Sequence, residues 1–346
     1  MNHSLINEIT ATAATVAPDR VFILSDSNVA RLETPLIEAL KERLNAVAFT
    51  TPAGEENKNL ASLERILSFL SESKATRKSL LICIGGGMTT DIGGFAAAIF
   101  KRGMPHINVA TTLLAAVDAA VGGKTGIDFN GLKNEIGAFK LPLATLADPE
   151  SFATLTLAEI LSGYGEVIKT ALITSAEMTE RILAESPLDA DDDTLDQVCR
   201  FCRDAKMSVI EQDPTEKGLR KILNFGHTAG HAIESLLLEK GTPLPHGSAI
   251  AHGNLVALIL SMMLEGLDKS WVSRYARWLR VYPDARFTCA DYDRIWQLAT
   301  HDKKNSSPDS LAYTLISAPG RPVYDRPVDR RQLFEALDLY QEVCGR

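Results

Sequence analysis

The sequence predicts an α/β N-terminal domain with a mostly parallel sheet, followed by a mainly α-helical C-terminal domain. The first half alternates. Apolar β-type runs at Val21–Leu24, Ala46–Thr50, Leu80–Ile84 and Ile107–Val109 are separated by helical spacing at Pro35–Leu44, in LASLERIL and across Asp91–Phe100. Strands and helices alternating at this interval make βα units and a parallel sheet. The second half reads differently. LTLAEILSGYGEVIKTALI, DDDTLDQVCRFCRDAKMSVIEQD, ILNFGHTAGHAIESLLL and SAIAHGNLVALILSMMLEGL carry helical periodicity. A β-type run returns at LAYTLI, near the end. A length of 346 residues fits two domains. The join falls in ADPESFATL, giving an expected division into residues 1–152 and 153–346.

Composition narrows the function classes. The chain is 45% hydrophobic and 23% charged, with a net charge of −8. A general nucleic-acid binder is normally basic, so no nucleic-acid partner is expected. An acidic chain that handles an anionic ligand must gather its cations locally. The start, MNHSLINEIT, has neither a basic head nor a long apolar core, so no signal peptide is expected. No apolar run approaches the roughly 18 residues of a membrane span, and no membrane association is expected. The five cysteines are an odd number in a long chain, which fits a reducing cytoplasm better than a disulfide framework. Cys199 and Cys202 form a single CxxC and read as one helix face rather than a metal site.

The segment from Leu80 to Leu141 concentrates the chemistry. Its apolar run ends in Gly85, Gly86 and Gly87, and a helix begins near Asp91. Strand, glycine turn and helix let backbone N–H groups approach a pyrophosphate at a helix N-terminus, although the same turn also occurs as plain loop geometry. VGGKTGID and GLKNEIGAF then place Lys124, Lys133 and Asn134 among glycines. Small neighbours let an anionic ligand reach both a charge and backbone donors. Ligands in parallel sheets bind at the carboxyl ends of strands, where the glycine turn lies.

The second half carries a metal-like constellation. His227 and His231 stand four apart in NFGHTAGH, which puts both rings on one helix face. His246 follows in PHGSA, and Glu166 lies in GYGEVIK three residues before Lys169. A carboxylate and two histidines with an open position make a catalytic zinc site. Residue spacing leaves open which two of His227, His231, His246 and His252 bind. It also leaves open whether Glu166 is a surface carboxylate paired with Lys169.

Taken together, GGG followed by Asp91, KRG, TTLLA, VD, GGKTGID, KNEIGAF, EVIK, LRKILNFGHTAGHAIE and HG resemble the 3-dehydroquinate synthase family in order and spacing over roughly residues 20–320. The resemblance implies a Rossmann-like N-terminal domain, a helical C-terminal domain, NAD, a divalent cation (zinc or cobalt) and a homodimer. It implies metal ligands Glu166, His227 and His246, with His231 beside the substrate phosphate in proton transfer. The NAD contacts it implies are Asp26, Asn28, Glu55, Lys58, Gly86, Gly87, Asp91, Thr111, Thr112, Lys133 and Thr154. Asp118, Lys124, Asn134, Lys169, Lys206, Arg220 and Asn224 would meet the substrate. Lys303 or Lys304 would join them. Glu216 matches a position with a proton-accepting role, and Arg102 would reach the phosphate in the neighbouring subunit. The implied substrate is 3-deoxy-D-arabino-heptulosonate 7-phosphate. Transient oxidation at C5, phosphate elimination, reduction and aldol closure would follow. Three departures stand out: Thr90 where the family often has glycine, expected to crowd the turn; Ser248 for glutamate; and Gly165 for alanine. Other sugar-phosphate cyclases, a metal-dependent polyol dehydrogenase and a non-catalytic nucleotide-binding module are the alternatives.

Overall fold

The computed structural model describes residues 3–147, 149–300 and 310–345. Two units separate: Met1–Leu155 with Asp192–Arg203, and Thr156–Asp191 with Asp204–Arg346.

The first unit runs α1 (His3–Ala14), β1 (Val21–Asp26), α2 (Ser27–Leu32), α3 (Thr34–Leu44), β2 (Val47–Thr51), α4 (Leu60–Glu72), β3 (Leu80–Gly85), α5 (Gly87–Ile99), β4 (His106–Ala110), β5 (Lys124–Phe129), β6 (Leu132–Phe139) and β7 (Thr145–Ala147). Five strands form a sheet in the order β2-β1-β3-β4-β7, and each neighbouring pair is parallel. Strands β1, β3 and β4 are buried along their whole length. Strands covered on both faces read as unbroken apolar runs, which is why they were legible. One face packs on α1 and α3 through Ile9, Ile37 and Leu40, and the other on α4 and α5 through Leu63, Ile66, Ile92 and Phe95. Two features differ from expectation. α1 packs as part of the core rather than standing as an unassigned start. The glycine-flanked lysines lie on an antiparallel hairpin, β5–β6, whose strands are not among the expected β-type runs.

The second unit contains α6 (Leu157–Thr174), α7 (Ala176–Ala184), part of α8 (Asp192–Gln212), α9 (His227–Glu239), α10 (His246–Leu264), α11 (Lys269–Trp278), α12 (Tyr292–Thr300), an antiparallel hairpin of β8 (Ser310–Ala318) and β9 (Arg321–Asp329), and α13 (Arg330–Val343). Its centre is α10, where every residue from Gly247 to Ser261 is buried. The expectation that no apolar run reaches spanning length needs correction here. α10 is 19 residues long and apolar enough to cross a membrane, but 83% of that stretch is buried inside the fold, against α6, α9, α13 and β8. A helix apolar all round is what a central core position demands. Cys199 and Cys202 are both buried on α8, and all five cysteines are free thiols.

Candidate active site

Glu166 sits at the middle of α6 with no exposed surface. α6 is started by a capping box in which Thr156 and Glu159 satisfy each other's backbone N–H groups. Its approach to α10 depends on glycine. A Cβ on Gly165 would lie 1.9 Å from the Gly247 carbonyl oxygen, and one on Gly247 would lie 1.7 Å from the Ser162 oxygen. The two backbones touch, and the Gly247 N–H donates to Ser162 Oγ at 3.0 Å. This contact brings Glu166 beside His246, the first residue of α10.

His227 opens α9 behind Gly226, whose φ of +75° is a left-handed conformation that suits glycine. The two histidines are held alike. His227 Nδ1 meets the Phe225 carbonyl oxygen at 3.1 Å, and His246 Nδ1 meets Glu234 Oε2 at 3.0 Å. An Nδ1–H engaged in this way leaves Nε2 as the ligating atom. Both Nε2 atoms face one oxygen: Glu166 Oε1 lies 3.5 Å from His227 Nε2 and 3.6 Å from His246 Nε2. Donors bound to one tetrahedral ion at about 2.1 Å stand roughly 3.4 Å apart. The three donors thus fit zinc or cobalt by chemistry, and the two carboxylate–imidazole distances fit by spacing.

His231 complicates the set. The ligating atoms of His227, His231 and His246 lie within 4.8 Å of one another. His231 is thus within reach of both imidazoles that face Glu166. Lys169, one turn along α6, is 1% exposed and ion-pairs with Glu166 Oε2. The pairing is real, but the carboxylate is buried rather than at the surface. Burial holds the His227 imidazole well below its ordinary pKa. Burial also opposes charge on His246, but hydrogen bonds to Glu166 and Glu234 outweigh it and push that imidazole up to about 10.

The segment leading into α9 carries Arg220 and Asn224. Arg220 is 1% exposed; its Nη1 donates to the Pro214 carbonyl at 2.9 Å, and its backbone N–H donates to Asp213. Asn224 donates to Glu216 Oε1 at 2.8 Å, and Glu216 itself has a φ of +59°. Lys206 is buried on α8.

In the first unit, a second group of residues gathers at the carboxyl edge of the sheet. Asp26 ends β1; its Oδ1 caps α2 through the N–H groups of Asn28 and Val29, and its Oδ2 accepts from Thr89 at 3.1 Å. Lys58 is buried between Asp91 at 2.8 Å and Glu55 at 3.1 Å. Burial opposes its charge, but the two carboxylates outweigh burial and hold its pKa above the ordinary value. Gly86 caps α5, and a Cβ there would lie 3.1 Å from Thr112 Cγ2, a tight contact that would press on Thr112. A glycine turn at the start of a 13-residue helix suits a pyrophosphate.

Comparison with known proteins decides the family. A model of the 3-dehydroquinate synthase N-terminal region matches residues 48–162, and one of its C-terminal region matches residues 163–305. The chain belongs to the 3-dehydroquinate synthase family. The 3-dehydroquinate synthase of Parabacteroides distasonis is 43% identical over 328 residues, covering 94% of this chain and 93% of that protein. Among solved structures, 2-deoxy-scyllo-inosose synthase complexed with carbaglucose-6-phosphate, NAD+ and Co2+ is similar. Its TM-score is 0.84 at 27% identity, over 96% of this chain and 94% of that one. The 2-epi-5-epi-valiolone synthase of Streptomyces hygroscopicus, with NAD+ and Zn2+ bound, shares the fold with a TM-score of 0.84 at 23% identity, over 99% and 95%.

Within this 3-dehydroquinate synthase fold, the expected residues divide into several groups. Glu166, His227, His246, His231 and Lys169 come together. Asp26, Gly86, Thr111 and Thr112 lie at the ends of β1, β3 and β4 or in the turns that follow them. Asn28 lies in α2, Glu55 and Lys58 in and just after a 3-10 turn at Glu55–Asn57, and Gly87 and Asp91 at the start of α5. Lys133 and Asn134 are exposed on β6, Lys124 opens β5, and Thr154 closes a 3-10 turn at Pro149–Thr154. Asp118 lies in a π-helical turn at Ala115–Ala119. Arg102 is exposed, with a φ of +69°. Lys303 and Lys304 lie outside the described residues. Thr90 does not crowd the turn: it is 1% exposed, and its hydroxyl donates back to the carbonyls of Gly86 and Gly87. The sequence reading missed Glu234, the partner of His246. Its signal was present, since residues 227, 231 and 234 repeat on one helix face.

Proposed function

We propose that this chain is a 3-dehydroquinate synthase. It would convert 3-deoxy-D-arabino-heptulosonate 7-phosphate to 3-dehydroquinate and phosphate, using NAD that is regenerated in each turnover. The observation that carries the reading is the pair of Nε2 atoms facing one buried carboxylate oxygen at 3.5 and 3.6 Å. Glu166, His227 and His246 would hold a divalent cation, zinc or cobalt. Gly86, Gly87, Asp26, Asn28, Glu55, Lys58, Asp91, Thr111 and Thr112, with Lys133 and Thr154, would hold NAD. When bound, the cation polarises the substrate's hydroxyl oxygens and the dinucleotide takes up and returns a hydride.

The chain's own residues do the rest. Phe225 and Glu234 fix the tautomers of His227 and His246, so neither ring must turn during the reaction. His231, beside both, would move a proton at the substrate phosphate. Lys169, Lys206, Arg220 and Asn224 supply fixed cations and an amide donor, a set suited to holding phosphate while it leaves. Asp118, Lys124, Asn134 and a lysine at 303 or 304 would orient the sugar, and Glu216 would accept a proton. The protein would act as a cytoplasmic homodimer in which Arg102 reaches the neighbouring site. Five free thiols fit that compartment.

Phosphate release tests the proposal. Incubation with the heptulosonate phosphate and catalytic NAD should liberate inorganic phosphate without accumulation of NADH. Stoichiometric NADH would indicate a dehydrogenase, and turnover of glucose 6-phosphate alone would indicate a different cyclase.

A further inference from the structure

About two turns beyond His246, α10 carries a polar residue that the chemistry above does not use. Asn254 has no exposed surface, on a helix that is otherwise apolar from Leu255 to Leu260. Burying an amide costs about 1–3 kcal/mol unless its hydrogen bonds are replaced. An apolar side chain would fill the same space without that cost, so packing alone does not account for an amide here.

The contacts of this amide are specific. Its Nδ2 donates to the Gly165 carbonyl oxygen at 3.2 Å. Its Oδ1 is buried and accepts no hydrogen bond among the described residues, and the hydroxyl of Tyr275 donates to the Ala251 oxygen, on the same helix, at 2.9 Å. On the other side, a Cβ on Gly226 would lie 2.0 Å from Asn254 Oδ1 and 2.8 Å from its backbone nitrogen. The left-handed turn that starts α9 therefore rests directly on Asn254. The neighbouring Gly253 completes this seat: a Cβ there would lie 2.1 Å from the Gly226 oxygen and 2.5 Å from the Gly230 nitrogen.

The positions of these contacts carry the argument. Gly165 precedes Glu166, Gly226 precedes His227, and Asn254 shares a helix with His246. One side chain thus touches the backbone next to two of the donors and is rigidly joined to the third. We propose that Asn254 is a positioning residue that sets the mutual spacing of Glu166, His227 and His246. The proposal rests on the metal reading of the preceding subsection. Asn254 touches neither the cation nor the substrate; it fixes α6 and α9 against α10 so that the donors stand at the spacing of one tetrahedral ion.

Cobalt titration of the metal-free full chain tests this, followed by visible absorption alongside a metal-free thermal melt. The unsubstituted protein should take up one Co2+ with the strong bands of a low-coordinate site, and His227→Ala should abolish that uptake. Asn254→Leu removes the hydrogen bond donated to the Gly165 carbonyl and keeps the branching. It should weaken Co2+ binding by roughly 10- to 100-fold and alter the band pattern, as loss of a supporting partner does elsewhere. Asn254→Ser carries the same readout should the leucine variant not fold. Co2+ affinity within twofold of the unsubstituted protein, with unchanged bands, would overturn the positioning role and leave the metal site standing. Failure of the unsubstituted protein to bind Co2+ would remove the metal reading and this inference together.

Discussion

Gly247→Ala is the perturbation that most directly probes how the helices build the site. The added Cβ would sit 1.7 Å from the Ser162 carbonyl oxygen, a backbone atom that cannot rotate away. Real Cβ contacts stay beyond 3.0 Å, so α6 and α10 must separate by roughly 1.3 Å in an interior packed without slack. Overpacking of this kind costs about 1–3 kcal/mol. For a domain of this size, a loss near 2 kcal/mol lowers the melting temperature by roughly 4–8 °C. The displacement matters more for the site than for the fold. Metal sites tolerate about 0.2 Å in their donor distances, and His246 is the residue next to the substitution. Metal-free Gly247→Ala should fold, melt several degrees early and bind Zn2+ far more weakly, as read by differential scanning calorimetry and by zinc titration against a competing chelator. A variant with the unsubstituted melting temperature and zinc affinity would refute the claim that this backbone contact sets the donor geometry.

Two further outcomes are expected. His106 is fully buried on β4, with neither ring nitrogen hydrogen-bonded among the described residues; burial, then the charge of Lys140, depresses its pKa to about 4. The folded state keeps this imidazole neutral while the unfolded chain protonates near 6.5, so its contribution is complete above pH 6.5 and is lost as pH falls to 4. The difference amounts to about 3 kcal/mol. Urea unfolding should show His106→Leu losing less stability between pH 7.5 and pH 4.5 than the unsubstituted chain; equal losses would count against it. Mixing inactive Arg102→Ala with inactive Lys124→Ala protein should restore some activity if Arg102 serves a neighbouring subunit, and no rescue in demonstrated heterodimers would exclude sharing.

Legibility in the sequence followed burial. β1, β3 and β4 are covered on both faces, so their apolar runs named them. β5 and β6 hid because their glycines are demanded by the crossing itself. A Cβ on Gly126 would lie 2.7 Å from the Ile136 oxygen, and one on Gly137 would lie 2.2 Å from the Thr125 oxygen. Those glycines erase the alternation that marks a hairpin. α1 was readable in principle, since Leu5, Ile6, Ile9 and Ala13 recur at helical spacing. In the site, HxxxH gave two histidines on one face, but spacing could not say that Glu166 is buried beside them. That depends on Gly165 and Gly247 letting two helices touch, a tertiary fact carried by residues without side chains. Asn254 was invisible for the same reason: its partners are a carbonyl and a turn on other helices.

The most direct measurement is the metal content of two purified variants, His227→Ala and His231→Ala, each dialysed against equal zinc. The account predicts that His227→Ala loses the metal while His231→Ala retains about one equivalent and loses turnover. Equal zinc loss in both would assign the ion to the three-histidine group and contradict a site built around Glu166.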